Sequence, residues 1–490
     1  MSSEEWEPWL ERLRDMEAKA REMGGPERLA KQYAQGKLDV RQRVDALFDP
    51  GTFTEIGSLV GNKEDSPADG LVCGFGLVNG RPVAVGAEDF TIKAGSVGTG
   101  GAYKRHRIAD LATQQGIPIV WMKEGAGARM GVRKSTPART PNDLEPMADC
   151  KGQVPVVCLI LGVSAGHGAL AAPMADYVVM TKGSSLFTGG PDLVKAATGL
   201  TITAEDLGGW QVCVDIAGTV HDVAESDAEA IAMARHYLSF HPDNCKALAP
   251  RTTGPQTEMR ETPEILDIIP PSAKQPYSAR EVIQSLVDDR DFFEVQPRFG
   301  KAICVGWGRL GGRTVGFVAN NPNHQAGALD ADAAVKATDF MDVAETFSHP
   351  VIFLLDNPGV MAGPQAEREG VLKWGGRMYL RGRNLTVPKI SVLMRKGFGF
   401  GLVVMAHMPH DRQTLVLALP SANIASMPAQ SGGKTANLDD ETRSKIEQAQ
   451  RGGPYGLADR LGVDEVVDPR QLRNALIKGL MISGARRHNA

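Results

Sequence analysis

Glycine-rich segments follow four short apolar runs of this 490-residue chain. In the first half they are Gly125–Ala128 and Gly166–Gly168, and in the second half Asn357–Val360 and Gly399–Gly401. Glycine after a strand lets the backbone approach a ligand and present N–H groups to it. Two such loops that meet would form an oxyanion hole, which stabilises a developing negative oxygen. The matched loops predict catalysis by backbone donors, although any one of them alone is more typical of a tight turn.

Side-chain chemistry is less evident in the sequence. Glu124 and Asp356 follow strands at matched positions, where they are as well suited to binding loop amides as to acting as acid or base. His167 and His324 lie in glycine-containing loops, but an isolated histidine is more often packed than catalytic. The chain has no HExxH motif, no metal-ligand spacing and no CxxC pair, so we expect neither a bound metal nor a disulfide framework.

Two segments resemble phosphate-binding patterns. In the first, SGGKT at Ser431–Thr435, Pro428 replaces the first glycine that a phosphate-binding loop requires, so an ATP site is not expected. In the second, Gly98–Gly101 precedes a predicted helix whose N-terminal amides, together with Lys104, Arg105 and Arg107, are suited to binding phosphate. A solvated helix face explains the same basic residues equally well.

An internal repeat supplies the elements that must position these loops. Four pairs of similar blocks keep one order at a separation of 232 to 239 residues. The pairs begin at Ala46 and Ser285, at Gly74 and Gly306, at Ile117 and His349, and at Val154 and Val387. In each copy the second block predicts a β-hairpin, with turns at Asn79–Gly80 and Gly311–Gly312. The repeat indicates a duplicated domain.

Strand and helix patterns alternate within each copy, which predicts an α/β fold. Amphipathic stretches at Ala102–Gln115 and Ala333–Ser348 predict helices between the strands. A leading helix is predicted from Glu4 to about Gln35, with a break at Gly24–Pro26. Because the region before residue 276 is rich in proline and threonine, we predict domains at 1–245 and 276–490, joined by a linker at 246–275.

Composition excludes several classes of protein. The formal charge of −4 and the mixture of acidic and basic residues argue against nucleic-acid binding. The N-terminus lacks the pattern of a secretory signal, and no apolar stretch is long enough to span a membrane. We therefore expect a cytoplasmic protein with no membrane or nucleic-acid partner.

Seven longer motifs are similar to those of a known family, the carboxyltransferase (β) subunits of biotin-dependent acyl-CoA carboxylases of the propionyl-CoA carboxylase type. In the first half the motifs are DGLVCGFGLVNGRPVAVGAEDFT from Asp69, KEGAGARMGV from Lys123, SAGHGALAAPMADYVVM from Ser164 and FTGGPDLVKAATGLTITAEDLGG from Phe187. In the second half they are GFVANNPNHQAGALDADAAVKATDF from Gly316, DNPGVMAG from Asp356 and VPKISVLMRKGFGFGLVVM from Val387. The resemblance covers nearly the whole chain.

The resemblance implies two tandem crotonase-like (ClpP/crotonase) ββα-spiral domains, with active sites formed between the first domain of one subunit and the second domain of another. It implies a homo-oligomer, typically a hexamer, that works with a separate biotin carboxylase and biotin carrier subunit. It also implies that an acyl-CoA is the substrate, that carboxybiotin donates the carboxyl group and that biotin itself takes the α-proton. The chain contains no lysine between two methionines of the kind that accepts biotin.

The resemblance also assigns candidate residues. Catalytic N–H donors would come from two loops, namely Gly166 and His167, and Gly399, Phe400 and Gly401. Substrate-binding residues would be Gly125, Ala126, Gly127, Ala128, Lys104 and Val403. The chain departs from the family at His167 and Phe400, where glycine is usual, and at Val403, where propionyl-specific relatives often carry aspartate. The last difference argues against plain propionyl-CoA as the substrate.

Two alternatives stay open. The carboxyltransferase subunits of biotin-dependent acyl-CoA decarboxylases look alike in sequence, so the sequence is compatible with either direction of the reaction. The altered glycines are also compatible with a non-catalytic assembly subunit that binds acyl-CoA without turnover.

Overall fold

The computed structural model describes residues 3–61, 66–129, 142–406, 411–425, 439–450 and 452–483. The chain divides into two compact units, Met1–Ala247 and Leu248–Ala490. Each unit contains an eight-stranded sheet together with helices. The predicted α/β class and the two similar domains are confirmed. The SGGKT segment and Pro428 lie outside the described residues, as does the part of KEGAGARMGV after Arg129.

The first unit orders its strands β1-β2-β3-β4-β5-β6-β8, and β7 pairs with β5. The strands are β1 (Thr54–Glu55), β2 (Leu71–Val78), β3 (Arg81–Glu88), β4 (Ile119–Gly125), β5 (Val156–Ala165), β6 (Tyr177–Thr181), β7 (Ser185–Phe187) and β8 (Asp222–Ala224). The helices are α1 (Ser3–Arg21), α2 (Pro26–Tyr33), α3 (Val40–Leu47), α4 (Thr99–Gln115), α5 (Leu144–Cys150), α6 (Ala171–Met174), α7 (Pro191–Thr198), α8 (Ala204–Gly208) and α9 (Asp227–Phe240). The leading helix breaks between α1 and α2, where the sequence predicted it.

The second unit repeats this order in its own sheet, as β16-β14-β13-β12-β11-β10-β9 with β15 on β13. The strands are β9 (Phe292–Val295), β10 (Ile303–Leu310), β11 (Arg313–Asn320), β12 (Val351–Asn357), β13 (Lys389–Phe398), β14 (Leu415–Ala418), β15 (Asn423–Ala425) and β16 (Glu465–Val466). The helices are α10 (Ile265–Ile268), α11 (Ala279–Leu286), α12 (Ala331–Thr346), α13 (Pro364–Arg368), α14 (Val371–Asn384) and α15 (Gly399–Val404), followed by Asp440–Gln450, Tyr455–Ala458 and Leu472–Ile482.

In both sheets the first three strands pair antiparallel and the later ones pair parallel. The antiparallel hairpins turn at Asn79–Gly80 and at Gly311–Gly312, all four residues having positive φ. Asp49 accepts hydrogen bonds from both amides of the first turn, at 3.1 and 2.8 Å. Asp288 does the same in the second turn, at 3.3 and 2.7 Å. Asp49 and Asp288 belong to the first block of the repeat, and each binds the hairpin turn of the second block. This contact explains why the two blocks occur together in both halves of the chain.

Each unit has a hydrophobic core of its own. In the first, Ile108 and Ala112 of α4 pack with Trp121 of β4 and Ile160 of β5. In the second, α11 and the C-terminal helix pack with the corresponding strands, and the cluster includes Ile265. Because parallel strands are covered on both faces, their side chains are apolar over most of their length.

The segment predicted as a linker contributes to the second unit. Residues from Leu248 onward belong to that unit, and Ile265 of α10 is fully buried in its core. The guanidinium group of Arg395 in β13 donates to the carbonyls of Pro270, Ser272 and Gln275, at 3.1, 2.7 and 2.9 Å. The chain before α11 is thereby held on the sheet of the second unit.

Candidate active site

The first glycine loop begins where β5 ends. Gly166 has φ 57°, in the left-handed region that favours glycine, and it opens a 3₁₀ helix over Gly166–Leu170. The first N–H groups of a helix have no partner inside the helix, so this turn presents donors at the end of the strand. Gly127 lies against the same turn, since a Cβ added there would stand 2.8 Å from the carbonyl oxygen of Ala165. The structure thus brings these two predicted loops together.

The Gly125–Ala128 loop is itself held by backbone hydrogen bonds. The amide of Ala126 donates to the carbonyl of Ala94 at 3.0 Å, and the amide of Val97 donates to the carbonyl of Gly127 at 2.8 Å. Gly125 admits no side chain, because a Cβ would lie 2.6 Å from the carbonyl oxygen of Gly95. Since the amide of Ala126 is already bonded, this loop forms a wall of the site and donors come from the Gly166 turn.

The second glycine loop repeats the arrangement at the end of β13. Gly399 has φ 55° and is the first residue of α15. Gly401 faces the buried side chain of Asn357, whose Oδ1 would be 2.7 Å from an added Cβ. The same Oδ1 accepts a hydrogen bond from the amide of Gly359 at 2.7 Å. Asn357 therefore links the two predicted loops of the second unit.

Phe400 and Val403 lie in this second turn. The ring of Phe400 is 40% exposed and its Cε1 stands 3.4 Å from the Cβ position of the buried Gly375 in α14. Val403 is half-buried in α15, one turn after Gly399. A substituent at position 403 is therefore placed to change the surroundings of the glycine loop without lying in the loop itself.

The structure gives Lys104 a position that differs from the predicted phosphate contact. Lys104 is 3% exposed, and its ammonium group donates to the carbonyls of Ala68, at 3.2 Å, and Leu71. One N-terminal amide of α4 is also bonded, because Asp69 Oδ2 accepts from the amide of Gly101 at 2.7 Å. A buried ammonium group with carbonyl partners has no route to a phosphate, so the predicted role of Lys104 in substrate binding does not fit its position.

Basic side chains do surround a cavity of about 500 Å³ in the first unit. Its lining includes Arg28 and Lys31 of α2 and Lys93 and Phe90 of the loop that follows β3. The cavity also reaches Ala94 and Glu124, and Ala94 is the residue whose carbonyl binds the Gly125–Ala128 loop. A cationic cavity thus adjoins the predicted site, and neither the composition nor the motifs had indicated it.

Glu124 and Asp356 are ion-paired in their own units. Glu124 binds Lys37 and Arg43, each at 2.6 Å, and is buried. Asp356 is fully buried and accepts from Arg395 Nε at 2.8 Å. Of the two roles left open by the sequence, these contacts favour the structural one, because each carboxylate is buried and held by cationic side chains of its own unit.

A second buried cluster surrounds Glu88 at the end of β3. Its carboxylate accepts from Arg105 at 2.7 Å, from the amide of Glu124 at 2.8 Å and from the ammonium group of Lys123. Burial alone would raise the pKa of Glu88, but Lys123 and Arg105 lower it below its ordinary value. Glu88 is thus an anion that joins three elements behind the first glycine loop.

The thiols of the core do not provide a nucleophile. Burial raises the pKa of Cys158 to about 12 and that of Cys150 to about 11, so both are protonated at neutral pH. Within the described ranges no group of three or more His, Cys, Asp or Glu side chains is placed to hold a metal ion. Nor does any helix of those ranges combine the length and apolar character needed to cross a bilayer.

Sequence reasoning missed two residues that bear on the glycine loops. Asp143, just before α5, lies 2.6 Å from His167 Nε2, and no motif connects the two positions. Asn357 was noted only as the start of a glycine-rich segment, although an asparagine with glycines after a strand is itself a signal for a side chain that binds loop amides.

Comparison with known proteins places this geometry in a family. A model described as carboxyl transferase domain matches residues 31–488. The chain is 32% identical to the methylmalonyl-CoA decarboxylase subunit alpha of Veillonella parvula, over 98% of this chain and 96% of that protein. It is 34% identical to the propionyl-CoA carboxylase beta chain of Roseobacter denitrificans, over 96% and 95% of the two.

Solved structures agree with the sequence comparison. The crystal structure of transcarboxylase 12S, described as a hexamer assembly with methylmalonyl-coenzyme A and methylmalonic acid bound, matches with a TM-score of 0.92 at 32% identity, over 99% of this chain and 97% of that one. The fold and the paired glycine loops therefore define an enzyme built from two crotonase-like units. The chain belongs to the carboxyl transferase family.

Proposed function

We propose that this chain is the carboxyltransferase subunit of a biotin-dependent acyl-CoA carboxylase, which transfers the carboxyl group of carboxybiotin to the α-carbon of an acyl-CoA. The observation that carries the proposal is the duplicated turn after β5 and β13. In each unit a left-handed glycine, Gly166 or Gly399, starts a helix at the end of a strand and presents its first N–H groups.

The N–H groups of these turns are suited to a reaction that passes through negative oxygens. Removal of the α-proton from an acyl-CoA converts the thioester carbonyl to an enolate, whose oxygen needs donors. Gly166 with His167 forms one set, and Gly399, Phe400 and Gly401 form the other. Two sets suit a reaction in which both the acyl thioester and the ureido group of biotin become anionic.

The chain's own ionisable groups fit a base that comes from outside this subunit. Biotin, when bound, supplies both the carboxyl group and the nitrogen that takes the α-proton. Glu124 and Asp356 are held by lysine or arginine, and the thiol of Cys158 is protonated. The residues of the chain therefore bind, orient and stabilise charge. We propose that biotin arrives on a separate carrier subunit.

The acyl-CoA is proposed to bind the first unit through its phosphates. Arg28, Lys31 and Lys93 line the cavity beside the Gly125–Ala128 loop. Lys104 of α4 is not available to bind phosphate, because its ammonium group donates to the carbonyl of Ala68. Gly125, Ala126, Gly127 and Ala128 then form the wall next to the acyl group. We keep Val403 as the proposed determinant of acyl choice.

We also propose that the predicted domains 1–245 and 276–490 act as paired carboxyltransferase domains of a homo-oligomer, as the hexamer described for transcarboxylase 12S suggests. The mass of one chain is 52.4 kDa, so light scattering distinguishes a hexamer from an active monomer without ambiguity. An active monomer would contradict this part of the proposal.

The decisive experiment is a carboxylation assay with the purified protein and its biotinylated partner subunit. A panel of acyl-CoAs is incubated with ATP and radiolabelled bicarbonate, and label in the acyl-CoA is counted. The similarity to a methylmalonyl-CoA decarboxylase subunit gives a second candidate, the reverse reaction. Loss of carboxylate from a dicarboxylic acyl-CoA without any ATP-dependent carboxylation would favour it. Acyl-CoA binding without turnover in either direction would favour an assembly subunit.

A further inference from the structure

The first glycine loop carries a polar side-chain contact that joins it to the start of a neighbouring helix. His167 Nε2 lies 2.6 Å from Asp143 Oδ1, and the side chains are 31% and 5% exposed. His167 follows the left-handed Gly166 at the end of β5, whereas Asp143 immediately precedes α5. A side-chain contact therefore connects the residue that presents a backbone donor to an element outside the loop.

Asp143 is an anion in this setting. Burial alone would raise its pKa, but the hydrogen bond with His167 and the positive charge of Arg105 lower it below its ordinary value. The other charged groups behind the loop are Lys123 and Glu88, which lie 3.6 and 3.7 Å from the Cβ position of Gly168. Arg105 and Lys123 balance Glu88 and Asp143.

The second loop uses an uncharged contact at the matched position. Phe400 follows Gly399 as His167 follows Gly166, and its ring stands on Gly375 of α14. Both loops are thus braced against a preceding helix by the residue after the left-handed glycine. One brace is a polar contact with a carboxylate, and the other is apolar.

We propose that His167 is a positioning residue of the carboxyl-transfer reaction. Its imidazole, bound to Asp143, fixes the N–H donors at the end of β5. The inference rests on the proposed function and deepens it: the first glycine loop is held by a polar contact with a buried carboxylate, and the second by an apolar contact.

Three variants separate charge from bracing. Asp143→Asn keeps the shape and removes the anion, and His167→Gln keeps a hydrogen-bonding side chain and removes the titratable group. The double variant His167→Phe/Asp143→Gly gives the first loop the side-chain pair of the second. The matched control is His236→Gln, which removes an exposed histidine of α9.

The kinetic readout is transfer of carboxylate from a dicarboxylic acyl-CoA to free biotin. Loss of the pair should lower kcat about tenfold to a hundredfold, because misplaced donors stabilise charge poorly, with KM for the acyl-CoA within about twofold. A double variant with wild-type kcat would overturn the role of the polar pair.

Hydrogen exchange gives a readout that does not depend on turnover. Amides of the peptide from 162 to 170 should exchange faster in both single variants than in the wild type or in His236→Gln. Unchanged exchange in Asp143→Asn would overturn the bracing role whatever the kinetics show. A wild type that transfers no carboxylate would instead contradict the proposed function, while exchange still decides whether the pair braces the loop.

Discussion

The ammonium groups of Lys104 and Lys336 bind the same carbonyl position in the two units. Lys104 of α4 donates to Leu71, the first residue of β2, and Lys336 of α12 donates to Ile303, the first residue of β10, at 2.8 Å. Both lysines are buried. Each one therefore secures the long helix of its unit to the start of the central hairpin, a structural task that the duplication preserved.

Replacing these lysines should cost stability and leave substrate binding intact. Lys104→Met and Lys336→Met each remove a donor from buried carbonyls, which should lower the free energy of unfolding by about 1 to 3 kcal/mol. Thermal unfolding measures the loss, and KM for the acyl-CoA should stay within about twofold. If Lys104→Met instead raises KM tenfold or more with an unchanged melting temperature, Lys104 contacts the substrate as the sequence first suggested.

Lys93 should matter for the phosphate end of the substrate. Lys93→Met removes one charge from the rim of the cavity in the first unit, and an exposed charge pair of this kind is worth about 1 kcal/mol or less. We expect KM for the acyl-CoA to rise about threefold to fivefold with kcat unchanged. The same acyl group on pantetheine, which lacks the nucleotide phosphates, is the control substrate. An equal rise in KM for both substrates would show that Lys93 acts on the protein and not on phosphate.

Gly401 offers a matched pair of substitutions. Alanine and proline both add a Cβ that meets Asn357, but only proline removes the N–H donor. Turnover of Gly401→Pro should fall about a hundredfold below that of Gly401→Ala, since one donor to a developing oxyanion is worth about 3 kcal/mol. Acyl-CoA affinity should be similar in both. Equal turnover of the two variants would exclude this N–H from the reaction.

Val403→Asp should reorder the acyl-CoAs that the enzyme accepts. The substitution places a carboxyl group on half-buried α15, and one methylene of acyl chain is worth only about 1 to 3 kcal/mol of discrimination, so a polar group has a comparable effect. The measurement is kcat/KM for acyl groups of increasing length, with Val403→Thr as the near-isosteric control. A common reduction for all substrates would mean that position 403 does not select the acyl group.

His221 should make folding of the first unit sensitive to acid. Burial lowers its pKa from 6.5 to about 3, and its Nδ1 accepts a hydrogen bond from the amide of Val178 at 2.8 Å. Below about pH 6 the unfolded chain binds a proton here that the folded chain does not. The free energy of unfolding should therefore fall by about 1.4 kcal/mol for each unit by which the pH is lowered.

His221→Asn retains an acceptor and should remove that part of the slope in urea unfolding between about pH 6 and 4. His349 of the second unit has its pKa lowered by burial to about 3 as well, so a comparable slope should remain in the variant. His236→Asn, at an exposed position, should behave as the wild type. A His221→Asn variant with the full wild-type slope would refute the assignment.

The sequence predicted correctly those features of the fold that depend on local residue pattern and on order along the chain. The hairpin turns at Asn79–Gly80 and Gly311–Gly312 require positive φ, which these residues tolerate, and both turns lie where they were predicted. The glycine after β5 and the glycine after β13 were likewise predicted from strand ends. Because the two halves of the sequence repeat one another, a turn or strand end predicted in one half was supported by the matching position in the other half.

Long-range polar partners were not predictable in the same way. The spacing left Lys104 open between a phosphate contact and a solvated helix face, because it lies in the first turns of a helix that follows glycines. The fold instead returns the β2 hairpin to that helix and offers carbonyls to the ammonium group. Nothing local distinguishes Asp143 as the partner of His167, because the pairing depends on how α5 approaches the end of β5. A buried charge takes the partner that the topology brings to it, and spacing along the chain does not reveal that partner.

The hydrogen bonds of Arg395 bear on the order in which the chain folds during synthesis on the ribosome. Its carbonyl partners at Pro270 and Gln275 are synthesised 125 and 120 residues earlier. At about 5 to 20 residues per second, the ribosome leaves those carbonyls without their guanidinium for roughly 6 to 25 seconds. The first unit, whose own sheet is by then complete, can fold in that interval. The segment from Pro270 to Gln275 therefore gains these native hydrogen bonds only after β13 has emerged.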